Sequence, residues 1–209
     1  MSALKFITFE GGEGSGKSTQ ARLLAGRLRA LGLDVVLTRE PGGSPLAEKV
    51  REVLLGGKPE SGDAAFLLFA AARAEHLYVT IVPALDRGAF VICDRYIHST
   101  RVYQGALGSV SPMLIAAVEK HTVAPFYPTL TLLLDVPAET GVERTKKRGE
   151  LNHFDWKDLA WHHSLRQAFL TEIAADPEHC NVIDGFRDPE AVALDVWRVV
   201  EARLLAKAT

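Results

Sequence analysis

The sequence predicts an α/β fold in which helices cover both faces of a five-stranded parallel sheet. Short apolar runs alternate with longer segments of helical periodicity along the chain. The apolar runs are continuous rather than alternating, as expected for strands that are buried on both faces. Strand–helix alternation of this kind is typical of a three-layer α/β/α architecture with right-handed crossovers.

The predicted strands are short runs rich in β-forming residues, bounded by turn residues. Five segments have this character, in chain order 5–10, 34–38, 89–93, 130–134 and 181–183. The first runs directly into a glycine-rich loop, and the third lies between Gly88 and Asp94. The sequence therefore predicts that two polar loops follow buried strands.

The predicted helices have apolar residues at helical spacing and recognisable ends. Leu24 and Leu28 share one face of the first helix, which stops at Gly32, and Pro137 begins a later one. Seven segments qualify, in chain order 17–31, 44–55, 63–85, 112–121, 137–148, 158–175 and 189–206.

Length and composition limit the kind of protein. The 209 residues suit a single domain over 1–209, and 47% hydrophobic residues are enough for a core. The net charge is −2, without a long basic block, so a nucleic acid polymer is a poor candidate partner. No signal-peptide pattern occurs, and the longest apolar run, 64–72, is too short for a bilayer. These observations predict a cytoplasmic protein without a membrane partner.

A phosphate-binding loop is the strongest motif. Residues 11–18, GGEGSGKS, match G-x-x-x-x-G-K-[ST] between a predicted strand and a predicted helix. The glycines let backbone N–H groups surround phosphate oxygens, Lys17 adds charge, and Ser18 offers a hydroxyl to Mg²⁺. The predicted nucleotide-binding residues are Gly11, Glu13, Gly14, Ser15, Gly16, Lys17, Ser18 and Thr19. The motif predicts a P-loop NTPase fold but does not by itself separate a kinase from a switch protein.

Further polar clusters occur where ligands of open α/β sheets bind, at the carboxyl ends of strands. Arg39 follows the second strand, and Asp94 and Arg95 follow the third. Phe69 and Arg73 lie four residues apart, so they share a helix face. Each has a structural alternative, because Phe69 could be a core residue and Asp94–Arg95 a structural pair.

Taken together, these segments resemble the thymidylate kinase family. The matching stretches are FEGGEGSGKST, TREPGGSPLAEKVR, LLFAAARAEH, DRY-x-x-ST-x-x-YQG and LTLLLDVPAETGVERTKKRGEL. They cover roughly residues 4–151, and REPGG and DR-x-x-x-ST-x-x-YQG are not general P-loop features. The resemblance implies transfer of a phosphoryl group from ATP to dTMP with Mg²⁺, and a homodimer.

The resemblance also implies individual roles. Arg39 and Arg95 would hold the dTMP phosphate, and the fork of a guanidinium suits phosphate oxygens. The implied base and sugar contacts are Phe69 stacking on thymine, Arg73 donating to a thymine carbonyl, Thr100 and Gln104 reading the base edge, Tyr103 crowding the 2′ position and Glu13 accepting from the 3′-hydroxyl. Asp94 would organise Mg²⁺ together with Ser18. The implied catalytic residues are Lys17, Asp94, Arg95 and Arg148.

A charged, weakly periodic segment at about 145–158 is predicted to be a lid, with an ordinary solvated loop as the alternative. Some family members carry a catalytic arginine in the phosphate loop, but here that position is Gly14. The resemblance therefore implies the type with a basic lid, in which Arg148 reaches the transferred phosphate and Arg144 lies along the adenine. Departures from the family pattern are Thr129, Asn152–His153 and the group Trp156, Trp161, His162 and His163.

Two rival functions follow from the same residues. The nearer one is another small-molecule P-loop kinase, acting on a different nucleoside monophosphate or a deoxynucleoside. Paired arginines such as Arg39 and Arg95 favour a phosphorylated acceptor. The more distant alternative is a nonenzymatic P-loop switch. It would give no function to the residues that the resemblance assigns to dTMP binding.

Overall fold

The structure is a computed structural model, and it describes residues 4–56, 59–149, 154 and 156–205, apart from the side chain of Arg148. Five parallel strands form a sheet: β1 (Phe6–Glu10), β2 (Val35–Arg39), β3 (Phe90–Asp94), β4 (Leu130–Asp135) and β5 (Cys180–Asp184). Their order across the sheet is β2-β3-β1-β4-β5. The predicted α/β fold with a five-stranded parallel sheet is confirmed, and each strand differs from its predicted range by one residue at one or both ends.

Helices connect the strands. In the described part of the chain they are α1 (Lys17–Ala30), α2 (Pro45–Gly56), α3 (Gly62–His76), α4 (Val82–Asp86), α5 (Ile97–Thr100), α6 (Pro112–Thr122), α7 (Ala138–Arg148), α8 (Leu159–Ala174) and α9 (Pro189–Val200). Three π-helical segments extend them: Leu77–Ile81 joins α3 to α4, Arg101–Ala106 continues α5, and Glu201–Leu205 continues α9. The helix formed by α5 and its π-helical extension was not among the predicted elements.

The core lies on both faces of the sheet, as the continuous apolar strands predict. On one face Ile7 and Phe9 belong to a cluster with Leu28 of α1. On the other face Phe6 belongs to a cluster with Ile81. Burial of a large apolar side chain contributes about 1.5–3 kcal/mol. Strand β1 is therefore fixed from both sides, and the loop that leaves its carboxyl end starts from a rigid base.

The long helical segment predicted over 63–85 is observed as one run from Gly62 to Asp86. It continues through Pro83 because proline, which lacks an N–H donor, stands in the first turn of α4. An 18-residue window within this run has a mean hydropathy of 1.4, and the run has enough residues to cross a bilayer, although the longest apolar stretch in the sequence is much shorter. One such helix is weak support for a membrane span, and this one carries Arg73 and His76 buried against the rest of the chain.

Strand register brings the predicted polar clusters to one edge of the sheet. Asp94 at the end of β3 lies beside Phe9 of β1 and beside Arg39 of β2. Because all the strands are parallel, the loops that follow them open on the same side. The phosphate loop, Arg39 and the Asp94–Arg95 pair therefore converge, as the sequence predicts.

Candidate active site

The phosphate loop curls between β1 and α1 around its own lysine. Lys17 Nζ donates hydrogen bonds to the carbonyl oxygens of Gly11 (3.0 Å) and Gly12 (2.7 Å) and to Ser15 Oγ (3.2 Å). Gly16, with φ of 95°, lets the chain turn directly into α1. Burial, and then the nearby Arg95 guanidinium, lower the pKa of Lys17 to about 8. The arrangement leaves a buried cation that gains from any anion placed beside it.

Position 14 requires glycine because the backbone of the phosphate loop passes very close to the backbone of α7. It has φ of 68°, and a Cβ built on it would lie 2.9 Å from the carbonyl carbon of Gly141 and 3.0 Å from the Gly141 Cα. Gly141 belongs to the first turn of α7, so the phosphate loop and α7 touch without side chains between them. One turn further along α7, Arg144 lines the cleft, and its Nη1 donates to the Gly185 carbonyl oxygen at 3.3 Å. An arginine at position 14 could not fit in this arrangement of the two elements.

A hydroxyl and a carboxylate meet beside the phosphate loop. The Ser18 hydroxyl donates to the Asp94 carboxylate at the end of β3. No cluster of three or more His, Cys, Asp or Glu side chains suited to a metal occurs among the described residues. Mg²⁺ prefers oxygen ligands and usually keeps waters and substrate phosphates rather than a complete protein cage. Ser18 and Asp94 are oxygen donors of this type and fit that ion.

Arg95 lies between the phosphate loop and the helix that follows β3. Its Nη2 donates to Glu13 Oε1 at 3.0 Å, and its Nη1 donates to the Gly11 carbonyl oxygen at 3.1 Å. The Tyr103 hydroxyl donates to the same Glu13 oxygen at 2.8 Å, and burial raises the pKa of Tyr103 well above its usual value. Burial opposes the charge of Arg95, but carboxylates led by Glu13 raise its pKa above normal. Glu13, Arg95 and Tyr103 therefore form one hydrogen-bonded group.

Glu10, which the sequence analysis did not single out, shapes the loop that carries Arg95. Its side chain is fully buried, and Oε1 accepts from the backbone N–H groups of Tyr96 (2.8 Å) and Ser99 (3.2 Å). Arg95 itself has φ of 71°, the left-handed region that disfavours side chains. A glutamate at the end of a strand just before a phosphate loop was the available signal, but its partners come from the turn after β3 and from α5.

The predicted base-reading residues come together across the cleft. Phe69 is half-buried and lines the cleft with Arg73 of the same helix, with Thr100 and with Gln104. Arg73 Nη2 donates to Thr100 Oγ1 at 2.9 Å, and Arg73 Nε donates to Glu40 Oε2 at 2.6 Å. Glu40 was quoted only within the REPGG motif, so its ion pair with Arg73 is a finding of the structure.

Two arginines line the cleft beside β2. Arg39 is 55% exposed, and its Nη2 donates to Glu48 at 3.0 Å. Arg51, missed as a site residue, reaches from α2 and donates to the Pro41 carbonyl oxygen at 2.8 Å. Burial, and then the nearby Arg39 charge, lower the pKa of Arg51. Arg51 closes the quoted segment TREPGGSPLAEKVR, and that position was the available signal.

Trp161, one of the departures from the family pattern, belongs to an aromatic cluster in the structure. The Trp161 ring stacks on Phe154 with centroids 5.9 Å apart. The Tyr103 ring packs edge-on against Phe154 at 4.9 Å and lies 6.0 Å from Trp161. Phe154 also lines the cleft. Trp161 therefore belongs to an aromatic wall beside Tyr103, whereas Trp156 and His163 are exposed.

A single cleft of about 860 Å³ contains most of the predicted site residues. Those that line it are Glu13, Gly14, Ser15, Gly16, Lys17, Ser18, Thr19, Arg39, Phe69, Arg73, Asp94, Arg95, Thr100, Tyr103, Gln104 and Arg144. Gly11 is buried behind Lys17. The side chain of Arg148 and the departures at Asn152 and His153 lie outside the described residues.

Comparison with known proteins identifies the family of the chain. A sequence profile described as thymidylate kinase matches residues 9–196. A thymidylate kinase of Nitrobacter winogradskyi is 50% identical over 96% of this chain and 90% of its own length. One from Caulobacter vibrioides is 49% identical over 95% of this chain and 97% of its own. A crystal structure of thymidylate kinase from Ehrlichia chaffeensis superposes with a TM-score of 0.75, at 35% identity, over 94% of this chain and 97% of that one. The chain belongs to the thymidylate kinase family.

Proposed function

We propose that this protein transfers the γ-phosphoryl group of ATP to dTMP and so forms dTDP, a step of nucleotide biosynthesis. One observation carries the proposal: Lys17 Nζ and Arg95 Nη1 both donate to the carbonyl oxygen of Gly11, at 3.0 and 3.1 Å. A cation for the donor phosphates and a cation for an acceptor phosphate therefore lie side by side in one cleft. Two polyanions can meet there with their charge balanced.

On the donor side, the phosphate loop binds ATP through its backbone N–H groups and through Lys17. Ser18 and Asp94 would hold Mg²⁺, Asp94 through water. When bound, the metal neutralises charge on the phosphate chain. Thr19 completes the set of loop residues at the start of α1.

On the acceptor side, the guanidinium groups of Arg39 and Arg95 hold the dTMP phosphate. Phe69 stacks on the base, and Arg73 donates to a thymine carbonyl. Arg73 suits this role because its Nη1 makes no hydrogen bond to another residue in the described ranges, while Nε and Nη2 are occupied. Thr100 and Gln104 complete the polar base edge from the facing helix.

The sugar lies against the group formed by Glu13 and Tyr103. Glu13 accepts from the 3′-hydroxyl, and the Tyr103 ring fills the space that a 2′-hydroxyl would need. Phe154 and Trp161 pack behind that ring and hold it in place. Deoxyribose is therefore preferred by exclusion of the larger ribose.

A lid at about 145–158, within a single domain over 1–209, completes the catalytic group. Arg148 acts on the transferred phosphoryl group as an arginine finger supplied by the same chain. Arg144 lies along the adenine, which suits its position in the cleft. The backbone of α7 supports this proposal because it leads from the phosphate loop at Gly141 directly to both arginines.

We further propose a homodimer in the cytoplasm. Leu46 and Val53 share a face of α2 and are 52% and 56% exposed, and Leu67 and Tyr78, along the run that α3 begins, are 51% and 80% exposed. Two neighbouring helices thus present apolar stripes that a second copy would cover. Light scattering should give twice the chain mass, and Leu67→Glu should lower it. A parent protein that is monomeric at micromolar concentration would refute the dimer.

The decisive experiment is steady-state phosphorylation of dTMP, dUMP and dCMP by ATP. We expect dTMP to be preferred over dCMP by about tenfold or more, because dCMP presents an amino group to the Arg73 donor and each unpaired buried donor costs about 1–3 kcal/mol. For dUMP we expect a smaller loss of roughly 1 kcal/mol, from one methyl contact. Arg95→Ala should abolish most activity. Arg29→Ala should not, because the Arg29 guanidinium donates to the carbonyl oxygen of Val35 at the start of β2, away from the cleft. Equal kcat/KM for dTMP and dCMP would refute the base assignment.

A further inference from the structure

We infer that His76 is a positioning residue for base selection, acting on Arg73 through Glu40. This inference rests on the proposed contact between Arg73 and thymine and extends it to a second layer of side chains. The His76 side chain is fully buried, and the Glu40 and Arg73 side chains are each 5% exposed. The three form a continuous hydrogen-bonded chain beneath the cleft.

Each polar atom that links Arg73, Glu40 and His76 has an identified partner. Arg73 Nε donates to Glu40 Oε2 at 2.6 Å, and His76 Nδ1 lies 3.0 Å from Glu40 Oε1. An ionised carboxylate only accepts, so the ring proton sits on Nδ1. His76 Nε2 lies 2.7 Å from Thr38 Oγ1, within hydrogen-bond distance of that hydroxyl. Both oxygens of Glu40 are therefore fixed by different partners.

The orientation of Arg73 follows from that carboxylate. With Oε1 fixed by His76, Glu40 cannot rotate to accept hydrogen bonds from two of the three guanidinium nitrogens at once. Arg73 is therefore held with Nε toward Glu40 and Nη2 toward Thr100 and the Tyr96 carbonyl oxygen. Nη1 remains as the donor for a ligand. Without His76 the carboxylate could turn, and the guanidinium plane would turn with it.

The same helix face also holds the turn that carries Glu40. Thr80, one turn after His76, donates to the Gly43 carbonyl oxygen at 2.7 Å. A Cβ on Gly43 would overlap His76 and Thr38, so the turn packs directly on the imidazole ring. Position 43 therefore needs glycine because His76 occupies the space beside it.

Three variants separate this role from general stability. His76→Phe keeps a ring but removes both nitrogens, His76→Asn keeps a donor near the Nδ1 position, and Thr38→Val removes only the far hydroxyl. We expect His76→Phe to raise the KM for dTMP and to lower the dTMP:dCMP ratio of kcat/KM about tenfold or more, because a hydrogen bond to a charged group is lost. The KM for ATP should stay within twofold. His76→Asn should recover most of the ratio, and Thr38→Val should lower it about two- to fivefold.

The outcomes distinguish a failure of this inference from a failure of the proposed contact between Arg73 and thymine. Arg73→Gln is measured in parallel, and a lost dTMP preference there supports the base-reading role. If Arg73→Gln loses the preference while His76→Phe keeps it within twofold of the parent, the inference alone fails. If His76→Phe lowers kcat/KM equally for dTMP and dCMP and also lowers the melting temperature, and if His76→Asn restores neither, then His76 is only structural. Should His76→Phe not fold, an unchanged ratio in Thr38→Val overturns the inference. If Arg73→Gln keeps the preference, the proposed base contact and the inference both fail.

Discussion

Replacing Gly14 by alanine tests the backbone contact between the phosphate loop and α7. Alanine at a φ of 68° costs about 1 kcal/mol relative to glycine. The added Cβ would also lie 2.9 Å from the Gly141 carbonyl carbon, whereas ordinary contacts begin near 3.4 Å. Overpacking of this kind costs about 1–3 kcal/mol, because either the loop or α7 must shift. We expect a total loss of about 2–4 kcal/mol, or roughly 5–15 °C in Tm for a chain of this size.

Two other glycines provide matched controls. Gly32 has φ of 76° with nothing within 4 Å of a built Cβ, so Gly32→Ala carries the backbone cost of about 1 kcal/mol alone. Gly26 lies in α1, is exposed, and also has open space around a built Cβ. Gly26→Ala should therefore stabilise the protein by about 0.5–1 kcal/mol. Urea unfolding of the three variants gives the free energies of unfolding directly.

The kinetic part of the test concerns ATP. Since α7 carries Arg144, a shift between the loop and α7 should raise the KM for ATP severalfold in Gly14→Ala and leave it unchanged in Gly32→Ala. A Gly14→Ala protein that is no less stable than Gly32→Ala would show that the crossing at Gly141 is loose. The steric argument would then be wrong.

Three other predictions follow from the site. Burial lowers the pKa of Lys17 to about 8, and the ammonium form is the one that binds phosphate, so kcat/KM for ATP should fall as the pH rises through about 8. Bound ATP favours the ammonium, so kcat should stay level to higher pH, and parallel pH profiles would contradict this reasoning. Tyr103→Ala should raise kcat/KM for ribothymidine monophosphate relative to dTMP, and an unchanged ratio would reject its sugar role. Arg148→Ala should lower kcat by about 10³-fold with little change in dTMP binding. Arg144→Ala should mainly raise the KM for ATP. A kcat for Arg148→Ala within a few-fold of the parent would exclude Arg148 from catalysis.

Much of the fold could be predicted because its signals are local. The continuous apolar runs gave five strands to within one residue at each end, since a strand buried on both faces tolerates few polar residues. The helix over 97–106 was missed because it is short and partly π-helical, so its apolar spacing departs from 3.6 residues. The order of the strands depends on pairing between distant segments, which no local pattern records.

The site was predictable where a motif names it and not where a distant partner defines it. Lys17, Asp94 and Arg95 line the cleft as expected because the ends of parallel strands must meet. Glu10 could not be assigned, because its role depends on N–H groups more than 80 positions away. His76 was likewise unremarkable in sequence, since a histidine on an apolar helix is usually a core residue.

The backbone conformation of Arg95 favours glycine, whereas the proposed activity requires the arginine side chain. Among the described non-glycine residues, it alone has a positive φ. Glycine would suit that conformation better than alanine by about 1 kcal/mol, yet neither supplies a guanidinium. A library selected for heat resistance should therefore tolerate glycine at position 95 more than other small residues, whereas selection for growth should retain only arginine. At Arg95 the preference of the backbone for glycine and the need of the site for a guanidinium therefore point in opposite directions.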